Sequence, residues 1–147
     1  MYNVLILWAP DSAETRKVVE VLRGSFNEGR FRTTAKKADE SSIVDIAAAD
    51  MVIFGLQKSG AIEVPPEFSE LMRIFKGVTL AGRAAGVFSV GTEKASAKIR
   101  KSLKDTEVAI FEEDPLFPGE KPEKVSDVSE WAKKLAGFFQ EVRSSRE

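Results

Sequence analysis

The chain has 147 residues, 43% of them hydrophobic and 31% charged, with a formal net charge of -1. That is the size and composition of one folded domain, and the charge offers no bulk attraction to nucleic acid or anionic lipid. Cysteine and histidine are both absent, which excludes disulfides, Fe–S clusters, thiolate catalysis, and the commonest general acid–base and metal ligand.

Tyr2 to Trp8 is a nearly continuous apolar run, the pattern of a strand covered on both faces. Ala9-Pro10-Asp11-Ser12 breaks it. A helix follows, with Asp11 or Ser12 as N-cap, Glu14 in its first turn, and Val18, Leu22 and Phe26 as its buried stripe. Arg30 to Thr34 reads as a weak edge strand. Ser41 to Ala48 reads as a short helix carrying Ile43, Val44 and Ile46. Met51 to Gly55 is a second buried strand. Pro65-Pro66 opens another helix, since Pro is tolerated in a first turn; Phe68, Leu71, Met72 and Phe75 form its apolar face.

Ala84 to Val90 is a strand ending in Gly91-Thr92, and the helix after it carries Ala95, Ile99 and Leu103. Val108 to Phe111 is the last strand, followed by a Pro-rich loop from Asp114 to Pro122. Phe117 in that loop either covers a ligand or packs down as a plug. The final helix shows Val125, Val128, Trp131, Leu135, Phe138 and Val142 on one face, and its polar tail, Arg143 to Glu147, is expected to fray. No apolar run approaches the roughly 18 residues needed to span a bilayer. Met1 to Leu7 lack a basic n-region, so no signal peptide is expected and the cytoplasm is the default location.

Short apolar strands alternating with amphipathic helices call for βαβ units around a parallel sheet, in one domain over 1–147. Such sheets bind ligands at the carboxyl ends of their strands, where strand order reverses. Chemistry is therefore sought in the loops Trp8 to Ala13, Gly55 to Val64, Ser89 to Lys94 and Glu112 to Pro118. The first faces a helix N-terminus, where free N–H groups and the helix dipole favour anions.

The stretch Trp8-Ala9-Pro10-Asp11-Ser12-Ala13-Glu14-Thr15 resembles the phosphate loop of the flavodoxin family: an aromatic residue after the first strand, a turn rich in Ser and Thr, a small residue, then a Thr. Trp8, Ala13 and Thr15 match that pattern. Phe54-Gly55, then Leu56-Gln57-Lys58-Ser59-Gly60 and Pro65-Pro66-Glu67-Phe68, resembles the second flavodoxin loop. Gly86-Val87-Phe88-Ser89-Val90-Gly91, with Thr92, resembles the strand and loop on the other side of the flavin ring. The resemblance extends over the whole chain. It implies a three-layer sandwich with a five-stranded parallel sheet of order 2-1-3-4-5, non-covalent FMN, and redox proteins as partners.

By the same resemblance, the Gly60 peptide would present a carbonyl to reduced flavin N5, using glycine's backbone freedom. Lys58 would stabilise anionic reduced flavin, or is a solvated loop lysine. The departures fall where the phosphate would sit. Pro10 has neither hydroxyl nor N–H, and Asp11 adds negative charge. Ser12 and Thr15 remain as hydroxyl donors, with Arg16 and Lys17 nearby. No aromatic stands in the second or third loop, where the family commonly stacks one on the flavin.

Other families fit less well. Gly86-x-x-x-x-Gly91 is followed by Thr92 where a nucleotide P-loop needs Lys. Leu7-Trp8 and Phe54-Gly55 stand where a response-regulator receiver would need acidic residues. Without His no classical hydrolase triad is possible. Two functions are compatible with the sequence: an FMN-binding electron carrier, or a flavodoxin-fold protein that has lost flavin and acts as a binding or scaffold module.

Overall fold

The computed structural model describes residues 1–26, 30–58, 61–118 and 125–146. Ser59, Gly60, Pro122 and Glu147 lie outside the described residues.

Three long strands carry the sheet: β1 (Tyr2–Ala9), β3 (Met51–Gln57) and β4 (Ala84–Val90). Nearly every residue of the three is buried, which is why they read as unbroken apolar runs rather than alternating ones. β2 (Phe31–Lys37) lies at one edge, with β5 (Ala109–Ile110) at the other, in the order β2-β1-β3-β4-β5 and parallel throughout. A sixth segment, β6 (Leu116–Phe117), also pairs with β4, further along it. The fifth position is thus held by two short pieces, with 111–115 looping out between them.

The first helix, α1 (Ala13–Ser25), follows β1, and α2 (Ile43–Ala47) follows β2 after a single turn at Ala38–Glu40. Ser42 N–H donates to the Asp45 carboxylate at 2.9 Å and opens α2. Two prolines precede a turn at Pro66–Phe68, which runs into α3 (Ser69–Ile74) and a further turn at Phe75–Gly77. α4 (Ala97–Lys104) and α5 (Val125–Arg146) complete the chain.

The alternation within each strand divides the interior into two cores, one per sheet face. Leu5, Leu7, Val52, Phe54 and Val87 pack against Phe68, Leu71, Phe75, Ile99 and Leu103. Val4, Ile6, Trp8, Ile53 and Phe88 pack against α1 and α5 through Val18, Leu22, Trp131, Leu135 and Phe139.

Several local expectations shift. Val44 is exposed, because a five-residue helix has room for only one inward face, and Ile46 takes it. Ala95 is buried ahead of α4 rather than on it. Val125 is exposed, and Phe139 rather than Phe138 is the fully buried ring of α5. Phe138 is half-buried and stacks on Phe111, centroids 5.2 Å apart. Phe117 packs down as a plug against Phe88 and Trp131. The α5 tail does not fray at Arg143: the helix runs to Arg146, and the Arg143 guanidinium lies 5.0 Å above the Tyr2 ring, a cation–π contact that anchors its last turns.

Candidate functional site

The chain leaves β1 toward β2 on one side, and β3 and β4 lie on the other. The reversal of strand order therefore falls between β1 and β3, and their carboxyl ends form the expected crevice. Ala9 ends β1 and Gln57 ends β3, one position beyond the pair Ala9↔Leu56. This register places the Gln57 side chain at the mouth of the first loop.

That loop is built around Ser12. The Ala9–Pro10 peptide is cis, and the Pro10 carbonyl accepts from Ser12 N–H at 2.9 Å. Ser12 is the N-cap of α1, with extended backbone, and its Oγ accepts from Thr15 N–H at 3.1 Å. Asp11, the other candidate cap, lies outside on the lip. Satisfying the Thr15 N–H in this way removes one of the free donors that make a helix N-terminus attractive to anions.

The hydroxyls are taken as well. Ser12 Oγ donates to Gln57 Oε1 at 2.7 Å. Thr15 Oγ1, on a fully buried residue, lies 2.9 Å from Ser12 Oγ and 3.2 Å from the same amide oxygen. The other end of the amide, Gln57 Nε2, donates to the Glu14 carboxylate at 3.0 Å. A carboxylate accepts and does not donate, so Glu14 fixes which end of the amide faces the hydroxyls. Four residues from two elements thereby close on one another where the resemblance would put a phosphate.

The electrostatics point the same way. Asp11 pairs with Arg16 and, at 3.6 Å, with Lys37. The Arg16 hydrogen bond, helped by the charges of Arg16 and Lys37, holds the Asp11 carboxyl below its ordinary range, so it is ionised at neutral pH. Lys37 is itself shared with Glu40 at 3.3 Å, whose hydrogen bond and charge raise the lysine's pKa. Glu14 has no basic partner among the described residues. A second anion ~4 Å from its carboxylate would cost about 1 kcal/mol in water and about 4 kcal/mol at a partly dry surface.

The second and third loops are tied together. Lys58, after β3, pairs with Glu93, after β4, at 3.0 Å, across the gap where a flavin ring would enter by resemblance. Ser89 is buried, and its hydroxyl accepts from Ala95 N–H at 2.8 Å, which fixes the turn into α4. Gly91 has φ +112, a conformation that favours glycine.

The structure brings together Ser12, Glu14, Thr15 and Gln57 at one point, with Asp11 on the lip beside them, and Lys58 with Glu93 at the next. Trp8, Ala9, Leu56 and Val90 are buried in the two cores. Ala13 and Thr92 are exposed at their loop rims. Lys37 and Glu93 escape sequence reasoning. Lys37 comes beside the first loop through the register Trp8↔Lys37, and nothing local to either residue marks it.

No family model matches the chain, and no curated protein matches it. Solved structures do. Flavodoxin 1 of Bacillus cereus superposes with a TM-score of 0.82 at 16% identity, covering 92% of this chain and 97% of its own. Flavodoxin 2 of the same organism gives 0.81 at 20% identity, covering 92% and 98%. The Fusobacterium nucleatum flavodoxin bound to flavin mononucleotide gives 0.78 at 11% identity, covering 95% and 99%. The class is therefore a flavodoxin-like α/β sandwich. In this chain the polar groups of the first loop are spent on one another. Among the described residues, no helix is long and apolar enough to cross a membrane.

Proposed function

We propose that this chain is a flavodoxin-fold protein that works without flavin, as a protein-binding module. One observation carries the reading: the Gln57 amide occupies the hydroxyls of Ser12 and Thr15 and is locked there by Glu14. A phosphate dianion would have to break these bonds and lie beside Glu14. The residues present do not fit the group. The Lys58–Glu93 pair adds a weaker barrier, since an ion pair this exposed is worth at most about 1 kcal/mol.

The second reading is an electron carrier that binds FMN at the same crevice and docks on redox proteins. It is favoured by the retained Ser12 and Thr15 hydroxyls at the α1 N-terminus and by the likeness to an FMN-bound flavodoxin. Fluorescence titration separates the two. Wild-type protein is expected to leave FMN fluorescence unquenched at tens of micromolar, and the variant Asp11→Thr/Gln57→Ala to gain measurable affinity. Tight quenching by the wild type, or purification as a yellow protein, would overturn the first reading and establish the second.

A further inference from the structure

We infer that the outer face of α4 is a docking surface for an acidic protein segment. The stretch from Lys94 to Lys104 holds Lys94, Lys98, Arg100, Lys101 and Lys104 and no acidic residue, although the whole chain carries 23 acidic residues against 22 basic. Lys98, Lys101 and Lys104 recur at spacings of three, which places them on one face of α4, and Lys94 stands just ahead of the helix. All four are exposed. Lys98, Lys101 and Lys104 pair with no carboxylate among the described residues.

Helix stability does not account for the stripe. Cations in a last turn complement the helix dipole, which suits Lys101 and Lys104. Lys98 lies at the opposite end, where the dipole disfavours positive charge, and the first turn of α4 has no acidic residue to offset it; Lys94, ahead of the helix, pairs with Asp114. The cap offers no relief either. The Ser96 hydroxyl bonds the Asp114 carboxylate instead of the helix amides. Lys98 works against its own helix, and with Lys101 and Lys104 it has no carboxylate partner among the described residues, which fits a partner of opposite sign.

The surface is a built one. A shallow groove of about 780 Å³ runs along one flank of it, where Lys94, Arg100, Lys101 and Lys104 stand with Glu63, Asp105 and Asp114, while Lys98 lies outside the groove. Arg100 is fixed by donating to the Phe111 carbonyl at 2.9 Å, and Lys94 by Asp114 at 3.4 Å. Fixed cations at one end and free lysines along the face give a strip on which an extended acidic segment can set its register. Against a nucleic acid, α4 exposes no aromatic ring for base stacking. Its exposed face lacks the large apolar side chains that anchor a helix in lipid. An acidic protein segment is the occupant these features favour, whether or not the crevice takes flavin.

The test uses the full chain and a fluorescein-labelled peptide of about twelve alternating Glu and Gly residues, with anisotropy read between about 50 and about 200 mM salt. Binding is expected to weaken with salt, with amide shifts in the NMR spectrum concentrated on 97–104. Lys98→Glu/Lys101→Glu/Lys104→Glu should lose at least tenfold in affinity, and the milder Lys98→Gln/Lys101→Gln/Lys104→Gln should lose in the same direction. Lys17→Glu/Arg32→Glu/Lys133→Glu, an equal charge change elsewhere, should keep the affinity to within about twofold. No binding at low salt, equal losses in the two Glu variants, or shifts centred outside α4 would overturn the inference. Tighter binding of a thymidine oligonucleotide or of phosphatidylserine vesicles than of the peptide would overturn the partner class.

Discussion

The closed state of the first loop is testable by a double-mutant cycle on Ser12 and Gln57. Gln57→Ala removes an acceptor that stands 2.7 Å from Ser12 Oγ and 3.2 Å from Thr15 Oγ1, and a donor 3.0 Å from Glu14. The loop is part-buried, so water can reach the freed Ser12 and Glu14. Each lost bond then costs nearer its net worth, about 1 kcal/mol, than a full desolvation penalty. With Thr15 still able to bond Ser12, the expected loss is about 2 kcal/mol. Ser12→Ala removes the same bond and the α1 cap, for about 1–2 kcal/mol. Because the Ser12–Gln57 bond is counted in both singles, the double variant should fall short of their sum by about 1 kcal/mol. Urea unfolding with an unchanged slope is the assay, and it resolves such a difference when the four proteins are compared at their midpoints. Additivity within about 0.3 kcal/mol would mean the two side chains do not hold each other in solution. It would remove the argument that the cup is shut from within.

Two further predictions concern the scaffold. Gly55→Ala would put a Cβ against the Phe88 ring, overlapping Cζ and lying 2.9 Å from both Cε atoms. That ring is wedged between Phe117 and Trp131, centroids 5.9 and 5.8 Å away, so overpacking should cost about 1–3 kcal/mol, read as a drop in Tm of roughly 3 °C per kcal/mol; an unchanged Tm would contradict the packing. The second is acid sensitivity. Asp45 has its pKa lowered by the Lys36 hydrogen bond and by the Ser42 amide. Its folded form therefore holds the proton less tightly than its unfolded form, and the stability it contributes is present above the ordinary carboxylate value of about 4 and lost as pH falls through the lower folded one. Asp45→Asn should flatten the fall in the urea midpoint below about pH 4, and an unaltered acid limb would show that the group contributes nothing.

The three central strands could be read from the chain because burial on both faces leaves no polar alternation to confuse them. β2 could not be bounded the same way. Its last residues, Ala35-Lys36-Lys37, are strand only because Ile6, Leu7 and Trp8 of β1 pair with them. The helix stripe of α5 was legible to within one residue: Phe138 and Phe139 are adjacent, and only the sheet decides which faces inward. In the loops, Ser12 was one of two candidate caps, and Thr15 was marked by resemblance. The role of Gln57 was hidden, since it acts on residues 42 and 45 positions away through a register that no local pattern encodes. Glu14 was legible as a first-turn acid within the stretch that resembles a phosphate loop, but not as the partner of Gln57, because that use depends on where the amide turns.

The divided fifth strand has a consequence for how copies of this molecule meet. Sheet edges invite other chains to add a strand, and a long regular edge is the usual site of aggregation. Here β5 and β6 offer two residues each, and the chain between them is clamped from both flanks. Arg100 holds the Phe111 carbonyl from one side, and the Trp131 indole N–H holds the Glu113 carbonyl at 3.0 Å from the other. An incoming strand would run out of template after a single pair of residues. The opposite border, β2, keeps its full length but is studded with Arg32, Lys36 and Lys37, so one rim resists growth by interruption and the other by charge.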